Sequence, residues 1–79
     1  MPNSIKYTVF ISFLKFIGCQ KIKQKGSHEK WKKDGLKRPL IIPKKDSNII
    51  FPSVLDSNLK TLGISYPEFL RIINENRLK

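Results

Sequence analysis

The sequence predicts an α+β fold with the element order α-β-β-β-α, followed by an extra C-terminal helix. Two observations support this prediction. Apolar residues recur at helical spacing in residues 5–17 and 52–76, and three short strand-like runs lie between them, separated by Gly-Ser and Asp-Gly pairs. The expected architecture is a three-stranded antiparallel sheet with helices packed on one face.

The first helix is predicted over residues 5–17, with Asn3 or Ser4 as its N-terminal cap and Gly18 just after its end. The apolar run at 7–18 is shorter than the ~20 residues that a membrane-spanning helix needs, and Lys15 interrupts it. We therefore expect a largely buried helix, whose apolar residues are Val9, Phe10, Ile11, Phe13, Leu14, Phe16 and Ile17.

The middle of the chain reads as three antiparallel strands paired in sequential order, and they cover residues 19–25, 28–33 and 37–43. The Gly-Ser and Asp-Gly pairs that separate them suit tight hairpins, because Gly and Asp tolerate the positive φ that such turns require. Pro39 lies in the third run and cannot donate a backbone hydrogen bond. The third strand is therefore predicted at an edge of the sheet.

Two further helices are predicted at residues 52–62 and 66–76. The first of these begins at Pro52 and ends before Gly63. The second follows the sequence SYPE, in which Ser65 can cap the helix and Glu68 can reach back. The residues expected to face the core are Leu55, Leu59, Leu62, Phe69, Leu70, Ile72 and Ile73.

Positive charge is concentrated in the middle of the chain. The 79 residues, enough for one small domain with a core of about residues 5–74, have a net charge of +10. Residues 19–38 hold eight basic and two acidic side chains, hence +6, whereas residues 46–79 hold four of each and are neutral. Such a patch is typical of a protein that binds a polyanion, and the simpler alternative is a solvated lysine-rich face.

Residue types limit the metal and disulfide chemistry. Cys19 is the only cysteine, so no disulfide can form within the chain, and a reducing, cytoplasmic compartment suits it. His28 is the only histidine, and one His with one Cys cannot form an ordinary zinc site. We expect no cofactor, no metal and no membrane association.

His28 follows the Gly-Ser pair and opens the second predicted strand. Side chains alternate faces along a strand, so His28, Lys30 and Lys32 share one face, and Glu29 and Trp31 share the other. Trp31 is suited to pack against the helices, which directs His28 away from the core and among lysines. A slip of one residue would reverse this arrangement.

The chemistry available to this basic face is RNA cleavage. A neutral imidazole can take the proton of a 2′-hydroxyl, whose oxygen then attacks the adjacent phosphorus, and lysines can stabilise the charge that grows on the phosphoryl oxygens. DNA lacks the 2′-hydroxyl, so the substrate is predicted to be RNA. Taken without its context, a histidine after a turn is more often structural or incidental than catalytic, and its position in the predicted topology favours a catalytic role. His28 is the predicted general acid or base, and the predicted RNA-binding residues are Lys23, Lys25, Ser27, Lys30 and Lys32.

Residues 13–43, FLKFIGCQKIKQKGSHEKWKKDGLKRPLIIP, resemble the HicA family of toxin mRNA interferases. The likeness lies in the succession of a helix with its terminal glycine, a strand, a basic Gly-Ser-His turn, a strand, an Asp-Gly turn and a strand ending near Ile-Pro. LDSNLKTLGIS and PEFL extend it to about residues 11–73. The resemblance implies a fold similar to the double-stranded RNA-binding domain, and translation-independent mRNA cleavage in which His28 is essential. It also implies a HicB-type antitoxin that covers the active face.

The chain departs from the family pattern in three places. Cys19 stands where the family favours an aromatic residue, and Ser53 stands roughly where many members have glycine. The loop after the third strand lacks the second histidine that some members have. A lysine or water would then protonate the leaving 5′-oxygen of the RNA.

The alternative function is a non-catalytic double-stranded RNA-binding module. Such modules use phosphate-contacting lysines at the start of the second helix, where this chain has PSVLDSNLK with only Lys60 basic. A DNA-binding adaptor ranks third, because no helix has Arg, Asn and Gln arranged for major-groove readout.

Glu29 is expected to form a solvated pair with a lysine, and the alternative is that it orients His28.

Overall fold

The computed structural model describes residues 3–26, 28–43 and 49–78, which form an α+β fold as predicted. The predicted polar connection at residues 44–48 and Ser27 lie outside the described residues. The elements in chain order are β1 (Ile5–Lys6), α1 (Tyr7–Phe16), β2 (Gln20–Lys25), β3 (His28–Lys32), β4 (Leu40–Pro43), β5 (Ile49–Ile50), α2 (Pro52–Leu62) and α3 (Tyr66–Glu75).

The main sheet is antiparallel with the order β2-β3-β4, so the predicted sequential pairing and the edge position of the third strand are confirmed. Two details were wrong. Pro39 lies just before β4 and not inside it. The turn at Gly35 is present, closed by a 3.1 Å hydrogen bond from the Leu36 N–H to the Lys33 carbonyl, but residues 33–39 form a longer connection than a tight hairpin.

The β2–β3 hairpin is as tight as predicted. Lys25 and His28 are paired across the sheet, so two residues separate the strands. Gly26 has φ = 60°, in the left-handed region that two-residue hairpin turns require and that glycine adopts without strain. This turn makes His28 the first residue of β3.

A second, two-stranded sheet was missed in the sequence. Ile5 pairs with Ile50 and Lys6 with Ile49, so the segment predicted as the start of the first helix is extended. α1 therefore begins at Tyr7, after Lys6, and no side chain caps it, which corrects the predicted caps Asn3 and Ser4. Helical periodicity cannot reveal a two-residue pairing across more than 40 residues of chain.

The C-terminal ends of α1 and α2 and the Ser65 cap of α3 follow the predicted signals. After α1, the N–H of Gly18 bonds to the Lys15 carbonyl and that of Cys19 to the Leu14 carbonyl, the paired arrangement in which a left-handed glycine ends a helix. Gly63 ends α2 in the same way. At the start of α3, the Ser65 hydroxyl accepts a 3.3 Å hydrogen bond from the Glu68 N–H.

The core lies between the helices and one face of the main sheet. The rings of Phe13 and Phe69 pack edge to face with their centroids 4.7 Å apart, and this contact joins α1 to α3. Phe16, predicted to be inward, is instead 54% exposed, because it lies at the margin of the apolar face of α1. The fully or nearly fully buried apolar residues are Phe10, Phe13, Leu14, Cys19, Trp31, Leu40, Ile42, Ile50, Leu55, Leu59 and Phe69.

Glu29 is buried in this core, which overturns the prediction of a solvated pair. Its side chain is 1% exposed and accepts hydrogen bonds from the Tyr7 hydroxyl and, at 3.0 Å, from Trp31 Nε1. It faces away from His28, so it does not orient the imidazole directly. A buried carboxylate needs such donors to offset its lost hydration. Glu29 thereby links β3 to the first turn of α1.

Cys19 is buried, as predicted for a small apolar residue. Burial raises the pKa of the Cys19 thiol, and the positive charge of Lys33 only partly opposes this effect.

Among the described residues, no helix is long and apolar enough to cross a membrane.

Replacing Glu29 tests the buried network. Glu29→Ala removes the carboxylate that accepts from the Trp31 Nε1–H and the Tyr7 hydroxyl, so we expect a loss of about 2–5 kcal/mol in the free energy of unfolding. Glu29→Gln keeps an acceptor of the same size and should lose only about 1 kcal/mol. Urea unfolding followed by circular dichroism measures both. Equal stability of Glu29→Ala and the wild type would contradict the network.

Tyr7 should make stability fall at alkaline pH. Burial, then the hydrogen bond to Glu29 and its negative charge, raise the pKa of Tyr7 well above its ordinary value of 10.0. The unfolded chain releases this proton first, so stability is full below pH 10 and declines as the pH rises further. Because lysines titrate nearby, the measurement is the difference in slope between the wild type and Tyr7→Phe. Identical slopes would contradict the prediction.

Candidate active site

The candidate site lies on the sheet face opposite the buried core, with α2 at its β4 edge. β3 alternates as predicted: His28, Lys30 and Lys32 are exposed, and Glu29 and Trp31 are buried. The alternation follows from the packing of the two buried side chains, because a shift of one residue would bring lysines into the core. The burial of Glu29 and Trp31 on one face of β3 therefore directs His28, on the other face, to solvent.

A β-bulge in β2 decides which of its lysines join His28. Lys21 is paired with Trp31 and Lys23 with Lys30, so Ile22 is an extra residue between them. After the bulge, Lys23 and Lys25 share the face of Lys30 and His28. Lys21 belongs to the opposite face, where its ammonium donates a 3.1 Å hydrogen bond to Gln24 Oε1.

These side chains surround a basic cavity of about 270 Å³, lined by Lys23, Lys25, His28, Lys30 and Ile41. His28 is directly opposite Lys25, and Lys23 is directly opposite Lys30. The outward side chain of Ile41 on β4 forms the apolar part of the lining and is 43% exposed. The cavity thus combines one imidazole with three ammonium groups.

On its other side, His28 borders a second cavity, which we call the serine pocket. This pocket of about 300 Å³ lies between β4 and the first half of α2, and its lining includes His28, Ile41, Pro43, Ser53 and Ser57. Across the sheet, the hydroxyl-bearing side chains of α2 and the ammonium groups of β2 are therefore on opposite sides of the imidazole.

Asn58 holds α2 beside the sheet. It is 5% exposed, and its Nδ2 donates to the Ile41 carbonyl at 3.3 Å and to the Val54 carbonyl at 3.0 Å. The first of these bonds satisfies an acceptor on the outer edge of β4, where the sheet would otherwise be open. The position of the serine pocket relative to His28 depends on this contact.

The predicted site residues are only partly brought together. The basic cavity brings together His28, Lys23, Lys25 and Lys30. Lys32 is on the same face but is paired with Gln20, about 13 Å along β3 from His28. Ser27 lies outside the described residues. In the described ranges 3–26, 28–43 and 49–78, no three His, Cys, Asp or Glu side chains are grouped to hold a metal ion.

Ile41, Ser53 and Ser57 were missed as site residues. Ile41 could have been found, because Leu40 and Ile42 are inward-facing residues of a predicted strand and the residue between them must face outward. The serines could not have been found in this way, because their proximity to His28 depends on how α2 docks against β4.

The fold and this basic face define a small α+β protein suited to contact an anionic partner. A family model described as the HicA toxin of bacterial toxin-antitoxin matches residues 9–64. The chain belongs to the HicA family, so it is the toxin of a toxin–antitoxin system and has an antitoxin as partner. Comparisons with curated proteins and with solved structures found no match.

The basic cavity should bind polyanions through individual lysines. We expect Lys30→Gln to weaken binding of inorganic polyphosphate by about two- to fivefold, the range for one exposed ion pair. Lys15→Gln removes the same charge from the exposed surface of α1 and is the matched control. Binding isotherms at several salt concentrations measure both. Equal effects of the two variants would mean that only net charge matters.

Proposed function

We propose that this HicA-family chain is an endoribonuclease that cleaves mRNA, with His28 as the general acid or base. The observation that supports this most directly is the position of the exposed imidazole at the basic cavity, opposite Lys25 and two residues from Lys30. A phosphodiester held by these lysines would lie against the imidazole. Lys23, Lys25 and Lys30 are the proposed RNA contacts nearest the reaction, and Lys32 and Ser27 extend them.

The proposed reaction uses the RNA's own 2′-hydroxyl. His28 takes its proton, the 2′-oxygen forms a bond to phosphorus, and the bond from phosphorus to the 5′-oxygen breaks. The leaving 5′-oxygen takes a proton from a lysine ammonium or water. The products are a 2′,3′-cyclic phosphate and a 5′-hydroxyl. The base and the cations of this step all come from side chains, so no metal ion is needed for it.

The pairing of like charges supports a polyanionic ligand. Lys23 and Lys30 are directly opposed across the β2–β3 ladder, and like charges in this arrangement destabilise a sheet. Local rules of sequence design are most often broken at functional sites. A bound phosphodiester backbone would remove this repulsion.

The same face is the proposed site of inhibition. An antitoxin of the HicB type, with acidic residues placed over Lys23, Lys25 and Lys30, would exclude RNA and cover His28. Both ligands would be recognised by the same positive charge, so binding of one would oppose binding of the other.

Removing the imidazole tests the proposed function. We expect His28→Ala to lower the cleavage rate of purified RNA by about 10²- to 10⁴-fold, the usual contribution of a general base. RNA binding should persist, because the lysines remain, and so should stability, because His28 is exposed. Toxicity after induction in a bacterium should disappear in parallel.

Substrate variants provide the control for this experiment. An oligonucleotide of DNA with one ribonucleotide should be cut only after that ribonucleotide, and an all-DNA oligonucleotide should not be cut. Equal cleavage by His28→Ala and the wild type would refute the role of His28. Salt-dependent binding of duplex RNA without cleavage by the wild type would instead favour a non-catalytic double-stranded RNA-binding module.

A further inference from the structure

A third cavity continues the surface beyond the serine pocket. This β4–α2 cleft, of about 360 Å³, has Pro39 and Ile41 as its apolar part and Arg38 and Lys60 as its basic residues. Ser57 and Thr61 of α2 add hydroxyl groups to its lining. Its composition, an apolar floor with two cations and two hydroxyls, differs from that of the basic cavity, which has three lysines, His28 and Ile41.

The three cavities are contiguous. Ile41 lines all of them, and His28 lines the basic cavity and the serine pocket. β4 runs past them from Pro43, opposite His28, to Leu40, about 10 Å away. Arg38 precedes Leu40 by two residues. Across the sheet, His28 on the central strand β3 therefore lies between Lys23 and Lys25 of β2 and the β4–α2 cleft with Arg38 and Lys60. Lys30, opposite Ile41, is on β3 at the level of the cleft.

We propose that the β4–α2 cleft binds the RNA strand on one flank of the scissile phosphate, and that Arg38 is its main phosphate contact. This inference rests on the proposed ribonuclease function and deepens it. A guanidinium presents several N–H donors in a planar fork that fits phosphate oxygens, so Arg38 is better suited than a lysine to fix the position of one phosphate. The apolar surface of Pro39 and Ile41 can cover a base or ribose.

The existing contact of Lys60 is compatible with this role. Lys60 lies 3.1 Å from Asp56, its side chain is largely exposed, and such helix pairs contribute little to stability. The ammonium can exchange this partner for a phosphate. Asn58 and Thr61 already donate to backbone carbonyls, Thr61 to that of Ser57 at 3.2 Å, so the helix wall of the cleft is held in place before RNA binds.

Single-stranded RNA fits this arrangement better than a duplex. The surface bends from the open sheet face into a cleft between β4 and α2, and only a single strand can follow it with its bases turned toward apolar side chains. The proposed path predicts that RNA binding on one flank of the cleaved bond depends on Lys23, and that binding on the other flank depends on Arg38.

The test uses DNA oligonucleotides with one ribonucleotide, which fixes the cleaved bond, lengthened one nucleotide at a time on either flank. For the wild type, kcat/KM should rise as each flank reaches its cations. For Arg38→Gln, the rise in kcat/KM on lengthening one flank should be about two- to fivefold smaller than for the wild type, and the rise on the other flank should be unchanged. Lys23→Gln should show a similar loss on the opposite flank only. Lys60→Gln should act on the same flank as Arg38→Gln.

Lys37→Gln is the matched control, because Lys37 is an exposed neighbour of Arg38 that is not among the residues lining the cleft. If Arg38→Gln and Lys37→Gln have the same effect, or if Arg38→Gln affects both flanks equally, the inference is overturned and the proposed function stands. If Arg38→Gln weakens only antitoxin binding, the cleft is a protein contact and the inference is likewise overturned. If the wild type cuts none of these oligonucleotides, the proposed function fails first.

Discussion

The two faces of β3 impose the constraint on which the rest of the structure depends. Glu29 and Trp31 are held in the core, with the carboxylate of Glu29 bonded to Trp31 Nε1 and the Tyr7 hydroxyl. Because β3 is the central strand, its register is set from one side by α1 and from both edges by its neighbours. The strand cannot slip without exposing Trp31 and burying lysines. His28 is therefore positioned by residues whose side chains lie on the other face of β3.

Around this strand, the fold brings cations together against their mutual repulsion. Two elements allow it: the two-residue turn at Gly26, which sets Lys25 opposite His28, and the bulge at Ile22, which turns Lys23 to the same face and Lys21 away. The core that must offset this repulsion is thin, because a chain of this size buries only a modest fraction of its surface. Binding of the proposed polyanionic ligand would reduce this repulsion.

The docking of α2 adds what the sheet alone lacks. Asn58 joins the helix to the outer edge of β4 through the Ile41 carbonyl, and this contact gives the sheet face a wall on one side of His28. A flat basic sheet would attract any polyanion with little preference for its path. The wall adds hydroxyls, an apolar floor and Arg38 at its far end, and in the proposed RNA path these features would set the direction of the strand.

By itself, the sequence determined the helices, the order of the three main strands and the outward direction of His28, because these depend on local periodicity, turn residues and alternation. The resemblance to the HicA family was also visible in residues 13–43, and the family match over residues 9–64 confirms it. Only the tertiary structure decided four other features: the β1–β5 pairing, the burial of Glu29, the bulge at Ile22 and the proximity of α2 to His28. Each of these depends on contacts between residues distant in the chain or on an irregular pairing, so no local pattern encodes it. Glu29 shows the difference most clearly: beside lysines it looks like a surface charge, and only the approach of Tyr7 and the Trp31 ring makes its burial favourable.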